Sequence, residues 1–173
     1  MPTVHTIPTD YATLTLALAN ANVKDGDTIQ MHGTHVENSE DITISKEVTL
    51  KTLGSGQATI SKRLIINASN IQITNLRLNS PGLSDGHGMM KHSGADIKNF
   101  TVNYCTIDGL PAAATNDNGG REQIIFRAAA TKKDANGALV ERFGGIFTFD
   151  NNTVMSVRSG ACIELGQTAE GCS

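Results

Sequence analysis

Between Asp10 and Val23, Tyr11, Leu14, Leu18 and Ala21 recur at three- and four-residue spacing, which predicts an amphipathic helix of about three turns over 10–23. Thr9 or Asp10 supplies its N-cap, and Gly26 stands beyond its end. After Gly26 the period changes. The stretches 28–31, 41–44, 47–50, 58–60 and 63–66 are short, mostly alternating or β-branched, and broken by Gly, Asn, Ser or Lys. They predict strands of three to five residues.

Farther on the chain repeats itself. Ile71-Gln72-Ile73-Thr74-Asn75-Leu76-Arg77-Leu78 can be laid over Phe100-Thr101-Val102-Asn103-Tyr104-Cys105-Thr106-Ile107 and over Phe147-Thr148-Phe149-Asp150-Asn151-Asn152-Thr153-Val154. Positions one, three and eight are apolar, and positions four and five are mostly Asn, Asp or Thr. Such a unit reads as two inward-pointing strands meeting at a tight bend, where Asn tolerates a left-handed backbone that most residues resist. Ile73, Val102 and Phe149 should then stack in one interior ladder.

The first two copies start 29 residues apart, a period expected of a stacked solenoid. The third starts 47 residues after the second, so 109–145 is an insertion. Within it, 123–127 predicts one more strand in line with the repeats. The Asn136-Gly137 pair predicts a β-hairpin or long loop projecting around 129–143.

Composition fits this picture. The chain has 173 residues, enough for one domain, with 17 Gly, no Trp, an aromatic fraction of 4% and many Thr, Asn, Ile and Val. That mixture suits short strands and tight turns better than a helical bundle. A net charge of −3, without a run of Lys or Arg, argues against nucleic acid as a partner. No apolar run approaches the roughly 20 residues that cross a bilayer, so a membrane is not expected either. The N-terminus shows no basic or apolar region of a secretory signal, and the expectation is synthesis in a cytoplasm. Cys105, Cys162 and Cys172 form neither a disulfide framework nor a CxxC metal site; Cys105 and Cys162 read as small core residues and Cys172 as a tail thiol.

The order of elements narrows the fold. A helix is followed by Gly26-Asp27-Thr28-Ile29, then by Gly33-Thr34-His35-Val36-Glu37, then by repeats. Here the chain resembles the N-terminal end of pectin-lyase-like right-handed β-helix proteins, in which a helix plugs the first coil and a G-D-T-I strand and a G-T-[YH]-x-E turn follow. The resemblance spans Tyr11 to about Leu78 and is a loose repeat pattern from there to Leu165. It implies an all-β, right-handed single-stranded parallel β-helix with an N-terminal capping α-helix and a projecting insertion. The whole of 1–173 is one domain in this reading, with first coils over 27–108 and last coils and tail over 146–173. A β-sandwich is the alternative that short alternating strands alone would also satisfy.

The fold serves lyases, hydrolases, adhesins and virion proteins, so function has to be argued from residues. A pectate-lyase type needs carboxylates for Ca²⁺ and an Arg or Lys to take a proton beside a uronate carboxylate. Asp85, Asp96, Asp108 and Asp150 with Arg77, Lys91 and Lys98 are the candidates, but no dense carboxylate pair lies on one strand, and they read as turn and solvent-face residues. Gly86-His87-Gly88 is similar to the G-H-G motif of polygalacturonases, whose paired carboxylates act by inversion. That family's N-T-D and D-D motifs do not stand upstream, nor its R-I-K motif downstream, so 85–88 reads as a turn.

His32, His35, His87 and His92 lack the companions of a tetrahedral metal site and read as surface or turn residues. Asn67-Ala68-Ser69, Asn99-Phe100-Thr101 and Asn151-Asn152-Thr153 match the glycosylation acceptor by chance in an Asn- and Thr-rich chain. No catalytic residue, metal or cofactor is therefore expected.

Among β-helix proteins, phage tailspikes and capsid-decoration proteins fold in the infected cytoplasm and need no export signal. The chain is similar to them in this respect. The expectation is a non-enzymatic virion protein, specifically a homotrimeric cement or decoration protein on a phage capsid, with the major capsid protein or another virion protein as partner. The alternatives are a polysaccharide lyase or hydrolase, and a glycan-binding module, with a glycan as ligand and an extracellular location.

Overall fold

The computed structural model describes residues 1–35, 41–79, 89–92, 98–108, 124–127, 132–133, 136, 139–141, 146–155 and 163–166; 91–92, 124–127, 132–133, 139–141 and 163–166 are described by their backbone. In chain order the elements begin with β1 (Val4–Ile7), α1 (Leu14–Ala19), β2 (Thr28–Met31), β3 (Thr34–His35), β4 (Asp41–Ile44) and β5 (Thr49–Thr52). Then come β6 (Ala58–Ile60), β7 (Arg63–Ile66), β8 (Ile71–Thr74), β9 (Leu76–Asn79), β10 (Met90–His92), β11 (Phe100–Asn103) and β12 (Thr106–Asp108). The last are β13 (Ile124–Arg127), β14 (Lys132–Lys133), β15 (Leu139–Glu141), β16 (Phe147–Asp150), β17 (Thr153–Met155) and β18 (Ile163–Gly166).

These strands build three parallel sheets, ordered β1-β2-β5-β8-β11-β16, β3-β6-β9-β12-β17 and β4-β7-β10-β13-β18. From β2 onward the chain visits the first, second and third sheet in rotation, and from β5 onward each strand of these sheets pairs with the one a full circuit earlier. The protein is thus all-β, with one short helix among the described residues. β14 and β15 interrupt the rotation between β13 and β16 as an antiparallel pair with Asn136 at its turn, which is the hairpin that Asn136-Gly137 predicts. β13 lies between β10 and β18, as expected for a strand in line with the repeats.

The three sequence copies coincide in space. Phe100 is opposite Ile71 and Phe147, and Val102 opposite Ile73 and Phe149. Alternation sends positions one, three and eight inward, so Ile71, Ile73, Leu78, Phe100, Val102 and Ile107 are fully buried. Each such aliphatic side chain contributes roughly 1.5–3 kcal/mol by leaving water. The bend falls where Asn was read as permissive: Asn75, Tyr104 and Asn151, all at position five, have φ of 53°, 55° and 52°.

Several boundaries differ from the sequence reading. The helix spans Leu14–Ala19, not 10–23, and its N-cap is Thr13, whose Oγ1 accepts the Leu16 N–H at 3.1 Å. Asp10 is engaged elsewhere: its N–H donates to the Thr6 carbonyl and its carboxylate accepts the Thr6 N–H, each at 2.7 Å, closing a turn that a helix cannot share. At the other end Lys46 Nζ donates to the carbonyls of Asn20 (2.6 Å) and Val23 (2.8 Å), so the chain leaves the helix early. Six residues are too few for an independent helix; burial of Leu14, Ala17 and Leu18 on one face holds it. The strand expected over 47–50 begins two residues later, and Thr34–His35 is strand β3 where a turn was expected.

Candidate binding faces

Outward positions form rows because parallel partners lie about 4.8 Å apart. On the first sheet one row runs Val4, Thr28, Thr49, Gln72, Thr101, Thr148, and the next Thr6, Gln30, Lys51, Thr74, Asn103, Asp150. On the second sheet the row is Thr34, Thr59, Arg77, Thr106, Thr153. Both faces are rich in hydroxyls and amides. β-branched Thr suits the pleat, and such rows hydrogen-bond along the stack, as Thr74 Oγ1 does to Asn103 Oδ1 at 2.5 Å.

Amide ladders line the corners. Asn70, at φ 55°, donates from Nδ2 to Glu47 Oε2 at 3.0 Å and accepts from Asn99 Nδ2 at 2.9 Å; Asn99, also at φ 55°, accepts the Ile146 N–H at 3.3 Å. The Asn99 amide of one glycosylation match is therefore part of the stack. Asn152 bridges two circuits with both halves of its amide, accepting the Cys105 N–H at 2.8 Å and donating to the Val102 carbonyl at 2.9 Å. That explains an Asn where the other copies carry Leu76 and Cys105.

The corner joining the first two sheets is the column Asn75, Tyr104, Asn151. A left-handed backbone costs an ordinary L-residue roughly 1–2 kcal/mol, and Asn much less. A bulky Tyr is the outlier, and its side chain does not repay the strain by burial: Tyr104 is 56% exposed. Beside it the loop between β5 and β6 leans over Asn75. Asn75 Nδ2 donates to the Gly56 carbonyl at 3.0 Å, and Gln57 Nε2 donates to the Tyr104 carbonyl at 2.8 Å.

Of the residues weighed for acid–base chemistry, the structure brings Arg77 and Asp108 together and puts the two described carboxylates on different sheets. Asp108 closes β12 on the second sheet, where Arg77 Nη2 lies 3.6 Å from its carboxylate, while Asp150 closes β16 on the first. Lys98 is exposed and precedes β11, and Lys91 lies on β10. Asp85, Asp96 and the Gly86-His87-Gly88 turn lie outside the described residues, as do Cys162 and Cys172. His32 is exposed, as read. His35 is not: it is buried on β3 at the head of the row Ile60, Leu78, Ile107, so the surface assignment was incorrect. The alternation of 34–35 within so short a strand was the only sequence signal for it.

Two buried polar groups escaped sequence reasoning. His5 Nε2 lies 3.0 Å from Asp27 Oδ2, and its ring packs 5.7 Å from that of Tyr11. The Thr3 N–H donates to Asp27 Oδ1 at 2.7 Å and the Lys24 N–H to Oδ2 at 2.8 Å. These two backbone donors, with His5 beside them, outweigh burial and hold the Asp27 carboxyl down to about 2. The cluster pins the N-terminal strand to the start of β2. On the third sheet Arg63 grips Asp41 in a fork, Nε to Oδ1 at 2.7 Å and Nη2 to Oδ2 at 2.9 Å, between directly paired residues of β7 and β4. Cys105 is a core residue, as read, and burial pushes its thiol up to about 11. It is inert as a nucleophile.

Among the described residues no three His, Cys, Asp or Glu side chains are grouped to hold a metal, and no helix is long and apolar enough to cross a membrane. Comparison with protein-family models, with curated proteins and with solved structures finds no match to this chain.

Proposed function

We propose that the three sheets wind as a right-handed single-stranded parallel β-helix, and that the chain is a non-enzymatic structural protein of a phage virion. Its specific role is that of a homotrimeric cement or decoration protein seated on the major capsid protein. Rotation through three parallel sheets supports the winding, and parallel crossovers take the right hand in nearly all cases.

One observation carries the assembly. The interior rows are fully buried up to β11 and β12, whereas Phe147, Phe149 and Val154 in the next circuit are half-buried and Ile146 and Met155 are exposed. Among the described strands, β16, β17 and β18 each stand last in their sheet, and a free sheet edge is a feature that proteins cover or pair. Another copy and the capsid surface cover that end in this reading. Among the described carboxylates, Asp108 and Asp150 close strands of different sheets and Asp108 is engaged by Arg77, which supports scaffold over lyase or hydrolase.

Light scattering at micromolar concentration should give three times the 18.3 kDa chain mass, and the protein should be found on purified particles. A monomer in both settings would overturn the assembly. Release of reducing sugar or unsaturated uronate from polygalacturonate, lost in His87→Ala, would overturn the non-enzymatic reading.

A further inference from the structure

We propose that Asn136 is a site of spontaneous covalent modification, at which the side-chain amide is lost to water and an aspartyl or isoaspartyl residue is left in the turn of the β14–β15 hairpin. The reaction belongs to the chain itself and does not depend on the trimer or on the virion.

The chemistry needs an asparagine followed by a backbone nitrogen that can reach its side chain. The Gly137 nitrogen, giving its proton to water or hydroxide, attacks Asn136 Cγ; a C–N bond forms, and the side-chain amide nitrogen leaves as ammonia. The product is a five-membered succinimide ring. Water then opens the ring at one of its two carbonyls. Opening at Cγ leaves aspartate, and opening at the main-chain carbon leaves isoaspartate, whose backbone is longer by one methylene. Water is the co-reactant, nothing is oxidised or reduced, and a neutral amide is exchanged for a carboxylate and ammonium.

Two observations single out this residue. Asn136 is exposed in the turn that joins β14 to β15, and the sequence gives it Gly137 as neighbour, with no side chain to screen the nitrogen. The corner asparagines meet the opposite conditions. Asn99 and Asn152 are followed by Phe100 and Thr153, whose N–H groups donate to the carbonyls of Ile146 and Cys105 at 2.9 Å each. Asn70 and Asn75 are followed by Ile71 and Leu76, fully buried at the start of β8 and β9. A nitrogen held in the sheet must leave its partner before it can turn back on the preceding side chain, so attack there is slow.

The test is to age the purified full chain in mildly alkaline buffer at physiological temperature, digest it with trypsin and read the peptides by mass spectrometry. Cleavage after Lys133 and Arg142 isolates 134–142, in which Asn136 is the one asparagine, apart from Asn118-Gly119, which lies outside the described residues. That peptide should gain about one mass unit, with part of the product accepted by an isoaspartyl methyltransferase. The change should run at least about tenfold faster than at Asn70, Asn75, Asn99 or Asn152, and Gly137→Ala should slow it about tenfold. In urea the corner asparagines should speed up and the gap should narrow. No conversion at 136, a matching rate at any corner asparagine of the folded chain, or an unchanged rate in Gly137→Ala overturns the proposal. The aged protein should melt as the fresh one does, because β14 and β15 pair with each other and not with the three parallel sheets. Unfolding on conversion would place the residue within the stack and overturn its assignment to the hairpin.

Discussion

Replacing Val102 by Asp, and separately its neighbour Thr101 by Asp, places the same carboxyl on opposite faces of β11. Val102 has no exposed surface and lies between Ile73 and Phe149; Thr101 stands in the outward row between Gln72 and Thr148. At 102 the valine burial is lost, about 1.5–3 kcal/mol. The new carboxyl must then be buried, and a pKa raised by about three units represents roughly 4 kcal/mol at neutral pH. Together these reach about 5–7 kcal/mol, the scale of a whole domain's stability. At 101 the carboxyl stays in water, and the change is about 1 kcal/mol or less, set by the poor strand propensity of Asp. Urea unfolding followed by circular dichroism should therefore show Thr101→Asp close to the parent and Val102→Asp unfolded or nearly so. Val102→Asp should recover partly as acid neutralises its carboxyl. A parent-like midpoint for Val102→Asp, or a larger loss at 101 than at 102, would show that the register is off by one residue.

Relief of the strained corner is a second expectation: Tyr104→Asn should raise stability by about 0.5–1 kcal/mol, and a lower melting temperature would argue against a strained backbone there. Asp27→Asn should cost roughly 1–2 kcal/mol at neutral pH after allowance for solvent screening. Because the folded carboxyl is depressed to about 2 from 3.8, its contribution is full above pH 3.8 and lost as pH falls toward 2. The gap between parent and variant should close over that window, and a gap independent of pH would refute the assignment. Thr13→Ala should cost about 1 kcal/mol through loss of the N-cap, measurable as a shift in the urea midpoint, whereas Thr9→Ala should not.

Much of the fold was legible in the chain because its determinants are local and periodic. Alternation at 71–78 and 100–107 specifies which side chains turn inward, and Asn at position five marks the bend, since few other residues accept a left-handed backbone. The hairpin at 132–141 was legible from Asn136-Gly137 for the same reason. The helix was overextended because its periodic residues continue past the point where other groups stop it. Asp10 closing on Thr6, and Lys46 reaching across from the next circuit to Asn20 and Val23, are contacts that spacing along the chain cannot express.

What the sequence by itself determined is the set of inward and outward positions, the repeat and its corners, because each depends on residues a few places apart. Tertiary structure alone decided which rows align and what each polar residue meets. His35 is buried because β3 places it at the head of an aliphatic row, and His5 is buried because β1 carries it beside Asp27, 22 residues away. Tyr104 stands at position five of the repeat in sequence, and stacking puts it between Asn75 and Asn151. The bond from Gln57 to its carbonyl, across 47 residues of chain, exists only once circuits of the chain lie side by side.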